Sequence, residues 1–225
     1  MSISRPRINQ FSHLDYCQYL LSSQTNYTLT NYAEHVAQLS HDMINRYLQE
    51  VKLTPQLVWE QTSVLIKSNV DGFIIFDDSV IDKNYSRDIE SVRTQYSGNV
   101  HRIIRGIGMV NCIYVNPTNK EFWVIDYRIF YPERDGKTKM AHVKDMLTNL
   151  HYHKKLVSKT VLMDRWYASN ELILFIADLG KLFYCPVKSN RLARALTIIL
   201  DETRVIAIIA FLIISVFWLF SQNFL

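Results

Sequence analysis

Cysteine is scarce: Cys17, Cys112 and Cys185 stand far apart, and no CxxC occurs. That excludes a zinc ribbon and a disulfide framework, and it favours a reducing compartment. Glycine and proline are also few, six and five in 225 residues, which leaves little room for linkers or low-complexity tracts. No internal repeat is found. The opening segment MSISRPRINQFSHLDYCQ has no apolar run and so no secretory signal. Against these shortages, 48% of the residues are hydrophobic and 20% charged, a balance that builds a core and excludes a disordered chain. The length suits one medium domain with a smaller appendage.

Charge is unevenly spread around a formal net value of +4. Residues 1–60 carry four Lys/Arg against five Asp/Glu, whereas residues 131–165 carry eight against four. Residues 181–204 carry five against two. A basic second half suits a polyanionic partner, nucleic acid first, with Lys137, Lys139, Lys154, Lys155 and Lys188 as its centre. An ordinary solvated surface has the same composition, so charge alone does not decide.

One long apolar run stands out. Val205 to Phe220 reads VIAIIAFLIISVFWLF, in which Ser215 is the only polar residue. Carried on as a helix to Leu225 it would be about 31 Å long, one hydrocarbon core. Arg191, Arg194 and Arg204 precede it, which would hold the body on the cytoplasmic side. The expectation is a tail of residues 192–225 with an apolar, membrane-inserting helix at about 205–221. A buried core helix is the competing reading.

Residues 1–69 read as helical. Asn31-Tyr-Ala-Glu34 can form a capping box, followed by apolar Ala33, Val36, Ala37 and Leu39. Ser40 is the expected cap of a second helix with Met43, Ile44, Tyr47 and Leu48 on one face. Thr54-Pro55 opens a third, since proline at the first helical position loses no bond. The short join near Ser40 resembles a helix-turn-helix whose second helix offers His41, Asn45, Arg46 and Gln49 to a DNA groove. A plain helical bundle fits the same pattern.

From Val70 the period changes to that of strands. Gly72-Phe-Ile-Ile-Phe76 reads as a buried strand ending in a carboxylate. Gly106–Asn116 and Glu121–Tyr131 follow, joined by a turn at Asn116-Pro117-Thr118-Asn119. A helix is expected over Met140–His153, then the strand Thr160–Met163 running straight into Asp164. Ser169 caps a helix that Gly180 stops, and Lys181–Val187 reads as a last strand. Three strands, then helix, strand, helix, strand, make an α/β fold of the ribonuclease-H type. Its sheet is mixed: an antiparallel trio extended by parallel strands through helical crossovers.

Asp77 and Asp164 both follow apolar strands. If those strands are neighbours, both carboxylates emerge at one sheet edge. Such hard oxygen ligands suit Mg²⁺ or Mn²⁺, and two ions there support phosphodiester chemistry. Strand-end acids also serve as caps, and Asp78 competes with Asp77, because successive strand residues face opposite ways.

Four segments together carry a family resemblance: FDDSV at 76–80, RTQYSG at 93–98, FWVIDYR at 122–128 followed by YPER, and VLMDR at 161–165. They resemble the bacterial insertion-sequence DDE transposases, in the superfamily named after the fourth insertion sequence. The likeness runs from about residue 10 to Arg191. It implies a ribonuclease-H-like core over residues 70–191, two divalent ions, and DNA strand cleavage and joining at transposon ends. Asp77 matches the family's first acid and Asp164 its second, while Arg165 stands where such enzymes often carry a basic residue. Expected partners are DNA at the element ends and a second copy of the chain, in the cytoplasm at the nucleoid.

The departure is at the third acid, a Glu within a Tyr–Arg–Glu–Lys signature. Past Arg191 the chain reads LARALTIILDETR and then the apolar run, and Glu202 is its only glutamate there. The expectation is a truncated or frameshifted core with impaired activity. A non-catalytic DNA-binding remnant and a tail-anchored membrane protein with a cytoplasmic α/β domain stay open as other readings.

Overall fold

A computed structural model describes residues 12–23, 28–36, 39–50, 52–84, 89–98 and 100–186. Lys188, Glu202 and the apolar run at 205–221 lie outside the described residues. Among the described residues no helix is long and apolar enough to cross a membrane. The chain divides into two compact units, and residues up to Lys52 and from Leu53 onward fall in different ones.

The first unit holds α1 (His13–Ser22), α2 (Leu29–His35) and α3 (His41–Glu50). Ser12 and Asp15 cap α1 reciprocally, the Asp15 amide donating to Ser12 Oγ at 3.3 Å and the Ser12 amide to Asp15 Oδ2 at 2.9 Å. The α2 cap is Thr28, whose hydroxyl accepts the Asn31 amide at 3.2 Å. This corrects the expected box at Asn31–Glu34. The helix starts two residues before Asn31 and closes at His35, so Val36 is its C-cap. Asn31 instead donates through Nδ2 to the Tyr19 hydroxyl at 2.7 Å, beside stacked Tyr19 and Tyr32 rings 4.3 Å apart. Ser40 caps α3 as expected, accepting the Met43 amide at 3.2 Å, and Ile44 is fully buried.

The second unit opens with α4 (Pro55–Ser63), where Thr54 Oγ1 accepts the Leu57 amide at 3.1 Å. This helix belongs to the sheet rather than to the helical region. Trp59 packs on the core, and the Tyr127 hydroxyl donates to the Leu53 carbonyl. The boundary therefore falls after Lys52, not after residue 69, because the apolar face of α4 is satisfied by the sheet.

Six strands follow: β1 (Phe73–Asp82), β2 (Arg93–Ser97), β3 (Arg102–Val115), β4 (Phe122–Phe130), β5 (Thr160–Met163) and β6 (Leu182–Tyr184). The sheet runs β2-β3-β1-β5-β6, and β4 also pairs with β3. Gly106 pairs with both Asp82 and Arg93, and Gly108 with both Val80 and Phe130. So β2 and β4 share, end to end, the edge of β3 that faces away from β1. The β1–β3, β2–β3 and β3–β4 pairs are antiparallel; β1–β5 and β5–β6 are parallel. This is a mixed α/β sheet with the expected order of directions, and β2 is the strand that sequence reading did not assign.

Helices α5 (Pro132–Asp135), α6 (Lys139–Thr148) and α7 (Asn170–Asp178) complete the unit. Val143, Met146, Leu147 and Leu150 recur at helical spacing, and all are at most 2% exposed. They pack with Ile74 and Phe76 of β1, Cys112 and Tyr114 of β3, and Val161 and Met163 of β5. The last turn after α6 widens to a π-turn over Asn149–His153. Ser169 Oγ caps α7 at 3.3 Å, and Gly180 ends the segment with φ of 69°, a left-handed backbone that suits glycine.

Candidate functional site

The β1–β5 register builds the site. Phe73–Phe76 pair in parallel with Thr160–Met163, so Asp77 and Asp164 occupy the next rung on adjacent strands. Side chains alternate along a strand. Phe76 and Met163 point into the helix-covered core, and Asp77 and Asp164 follow them toward the opposite face. Asp77 is not the end of its strand. β1 continues to Asp82 along β3, because the antiparallel ladder pairs Asp77 through Asp82 with Asn111 through Gly106. Only the parallel neighbour stops there, and Asp164 turns into a single 3-10 turn, Arg165–Tyr167, whose first amide donates to Asp164 Oδ1 at 2.6 Å.

Electrostatics reflect the crowding of acids. Burial, then the neighbouring Asp78 charge, and further the Asp164 charge, push the Asp77 carboxyl up to about 7. Asp78, the competing residue, faces the other way, as alternation requires. It forms an ion pair with Lys139 on the first turn of α6, and the Tyr167 hydroxyl lies 3.5 Å from its Oδ1. A cation at a helix N-terminus opposes the helix dipole, and Asp78 supplies the compensating charge. Burial and then Asp78 hold the Tyr167 hydroxyl proton well above the ordinary phenol range.

Across from Asp77 on β3 stands Asn111, 6% exposed. Its Nδ2 donates to Ser79 Oγ at 3.1 Å, while its Oδ1 is buried with no hydrogen-bond partner. Unsatisfied buried acceptors are uncommon in folded proteins. Two carboxylates and an orphaned amide oxygen form an all-oxygen donor set, which fits a hard divalent cation such as Mg²⁺ or Mn²⁺. Among the described residues no group of three or more His, Cys, Asp or Glu side chains is placed to hold a metal ion.

The expected DNA-contacting residues fare differently from one another. Lys154 is a correction: its side chain is 6% exposed and donates to the Ile125 carbonyl at 2.9 Å and to Asp126 at 3.0 Å. Its charge serves the interior, where Asp126 would otherwise stand buried beside Arg128 alone. Lys139 is likewise turned inward to Asp78 rather than outward. Lys137 stays on the surface, 2.5 Å from Asp145. Lys155 is exposed in a left-handed backbone conformation with φ of 49°, and Arg165 is exposed beside Asp164. Arg46 lies exposed on α3, its Nε donating to the Asp42 carbonyl at 3.3 Å. Sequence reading missed Asn111, whose signal would have been a lone Asn in the apolar run MVNCIYV.

No protein-family model and no curated protein matches the chain. Among solved structures it is similar to the piggyBac transposase synaptic complex with hairpin DNA, at 12% identity and a TM-score of 0.41. That match covers 87% of this chain and 46% of the other. It is also similar to the Mos1 transposase paired-end complex with left transposon end, at 15% identity and a TM-score of 0.29, over 81% of this chain and 61% of that one. A pre-cleavage Mos1 transpososome gives 16% and 0.27 over the same shares. The chain thus spans about half to three fifths of these proteins' length.

Proposed function

We propose that the sheet unit is a ribonuclease-H-like transposase core that cleaves and joins DNA strands at transposon ends, using Mg²⁺ or Mn²⁺ held by Asp77 and Asp164. The observation that carries this reading is the parallel register ending at Phe76↔Met163, after which Asp77 and Asp164 are the next residues of the two neighbouring segments. The strand order and the four sequence segments quoted above support it.

Each residue has a part in that reading. Asp77 and Asp164 bind the metal, and the raised proton affinity of Asp77 comes from burial first and then from the neighbouring acid charge, which a cation would neutralise. Asn111 offers its unpartnered oxygen from the neighbouring strand. Asp78 is kept out of the ligand set by Lys139. Arg165 lies exposed one residue from Asp164, where a guanidinium can meet a phosphate. When bound, paired divalent ions activate the attacking oxygen and stabilise the leaving one. The Tyr–Arg–Glu–Lys segment of the resembled family is not in these 225 residues. Two carboxylates hold ion spacing loosely, so nicking is expected to exceed joining.

The test is a nicking assay on labelled duplexes with Mn²⁺. Asp77→Asn and Asp164→Asn should each reduce nicking at least about a hundredfold, in line with losing a metal-held nucleophile. Wild-type nicking by both variants would remove the carboxylate pair from the chemistry.

A further inference from the structure

The β2–β3 hairpin stands beyond the rest of the sheet. β1 ends at Asp82 opposite Gly106, and β4 ends at Phe130 opposite Gly108. Among the described residues, 102–105 of β3 pair as a strand with β2 alone, with register Thr94↔Arg105, Tyr96↔Ile103 and Ser97↔Arg102. At the base the Lys83 amide donates to the Arg105 carbonyl at 2.9 Å and the Arg105 amide to Asn84 Oδ1 at 3.1 Å. The result is a two-stranded ribbon about 14 Å long at 3.4 Å per residue. Its sequence from Arg93 to Arg105 contains three arginines and His101, and no acid. Arg93 is held at the base, 3.2 Å from Glu133 and over the Phe130 ring. Arg102 and Arg105 are exposed.

The ribbon has a dry face and a wet face. Ser97 and Ile104 are buried, whereas the cross-strand pair Tyr96 and Ile103 is 52% and 67% exposed. Directly paired residues lie on the same face of a sheet. β3 alternates without a break from Ile103 to Asn111, and Asn111 pairs with Asp77. Tyr96, Ile103 and Arg105 thus share the face that carries Asp77 and Asp164. Arg105 is six residues along β3 from Asn111, about 20 Å at 3.4 Å per residue. Six base pairs of duplex DNA span the same length.

We infer that this ribbon is a DNA-contacting arm that grips the duplex about six base pairs from the phosphate held at Asp77 and Asp164. A two-stranded ribbon fits the major groove, arginines meet phosphates, and an exposed Tyr–Ile pair gives an apolar contact to base edges or sugars. The inference rests on the carboxylate reading for where the strand is cut. It also supplies the outward-facing cations that Lys139 and Lys154 do not.

The experiment measures binding by the full chain in EDTA, so no cleavage is needed. Fluorescence anisotropy is read with a 30-base-pair duplex over a NaCl series. Tyr96→Ser/Arg105→Ser, two residues on the face that carries Asp77, should bind about tenfold more weakly, with the log–log salt slope reduced by about 1 for the lost arginine. Arg105→Lys should recover the slope. Both positions are exposed, and an unchanged thermal midpoint checks the fold. Binding by the double variant equal to wild type overturns the arm and leaves the carboxylate reading standing. Ribbon-dependent binding without any metal-dependent nicking overturns the carboxylate reading alone. Equal loss of affinity for polyglutamate and DNA would show a general polyanion-binding patch, and would also overturn the arm.

Discussion

Lys154 Nζ lies 3.0 Å from Asp126 Oδ2, in a pair whose side chains are 6% and 1% exposed. The ammonium also sits 4.7 Å from the centre of the Trp59 ring, so one lysine after the π-turn joins α4, β4 and the end of α6. Removing one member of a buried ion pair strands the other charge. Lys154→Met should therefore cost about 3 kcal/mol, toward the low end for such losses because Arg128 still pairs with Asp126. Urea unfolding gives the value. At temperatures where the variant is folded, its DNA affinity should stay within about twofold of wild type, since this charge never faces solvent.

Metal binding should separate the two adjacent aspartates. Calorimetric titration with Mn²⁺ should show heat lost in Asp77→Ala and in Asp164→Ala. Asp78→Asn should keep the heat and lower stability instead, by about 1–3 kcal/mol, because it leaves Lys139 without its charge partner. Loss of Mn²⁺ binding in Asp78→Asn with retention in Asp77→Ala would reverse the assignment.

Asp77 also predicts a pH dependence without metal. Its carboxyl titrates near 7 in the folded chain and near 3.9 in an unfolded one. Between those values the native state keeps a proton that the unfolded state has released, so stability falls as pH rises from about 4 to about 7. In EDTA, Asp77→Asn should melt above wild type at pH 8, and the difference should vanish toward pH 4. A difference independent of pH would mean that burial and neighbouring charge do not govern this group.

Gly106 sits where β1, β2 and β3 meet. A Cβ there would lie 2.3 Å from the Ile81 carbonyl oxygen, a backbone atom held by the β1–β3 ladder. Gly106→Ala should cost about 1–3 kcal/mol as overpacking that side-chain movement cannot relieve. It should also weaken DNA binding by shifting the ribbon. An unchanged denaturation midpoint would show that the ladder yields more easily than its pairing suggests.

Much of the sheet unit was legible because its signals are local. Thr160–Met163 is a short apolar run bounded by a charged residue, and Ser169 and Gly180 are chemical stop signs. The pairing of Asp77 with Asp164 could be inferred from two apolar strands each delivering an acid. The length of β1 could not, because Asp77-Asp78-Ser79 has turn-like composition, and only the cross-strand ladder to β3 keeps it extended. β2 was missed for a related reason: RTQYS is polar on one side and pairs only with the far end of β3. Lys139 and Lys154 were misread in kind. Whether Lys154 meets a phosphate or Asp126 depends on a partner 28 positions away, which no composition window reaches.

The β1–β5 register has a consequence for the order in which the molecule is made. β1, β2, β3 and β4 are consecutive in the chain and pair antiparallel around β3, while β5 must return to β1 over the 87 positions from Asp77 to Asp164. Contacts of low sequence separation form first, and distant parallel pairing forms late. A ribosome that has released β4 but not β5 therefore carries an ordered antiparallel sheet with one lone acid. The Asp77–Asp164 pair proposed to hold metal is assembled only when synthesis has passed Met163, so an interrupted product stopped earlier lacks one of its two carboxylates. Metal binding by the proposed pair would then be a late step of folding, timed by where the second strand falls in the gene.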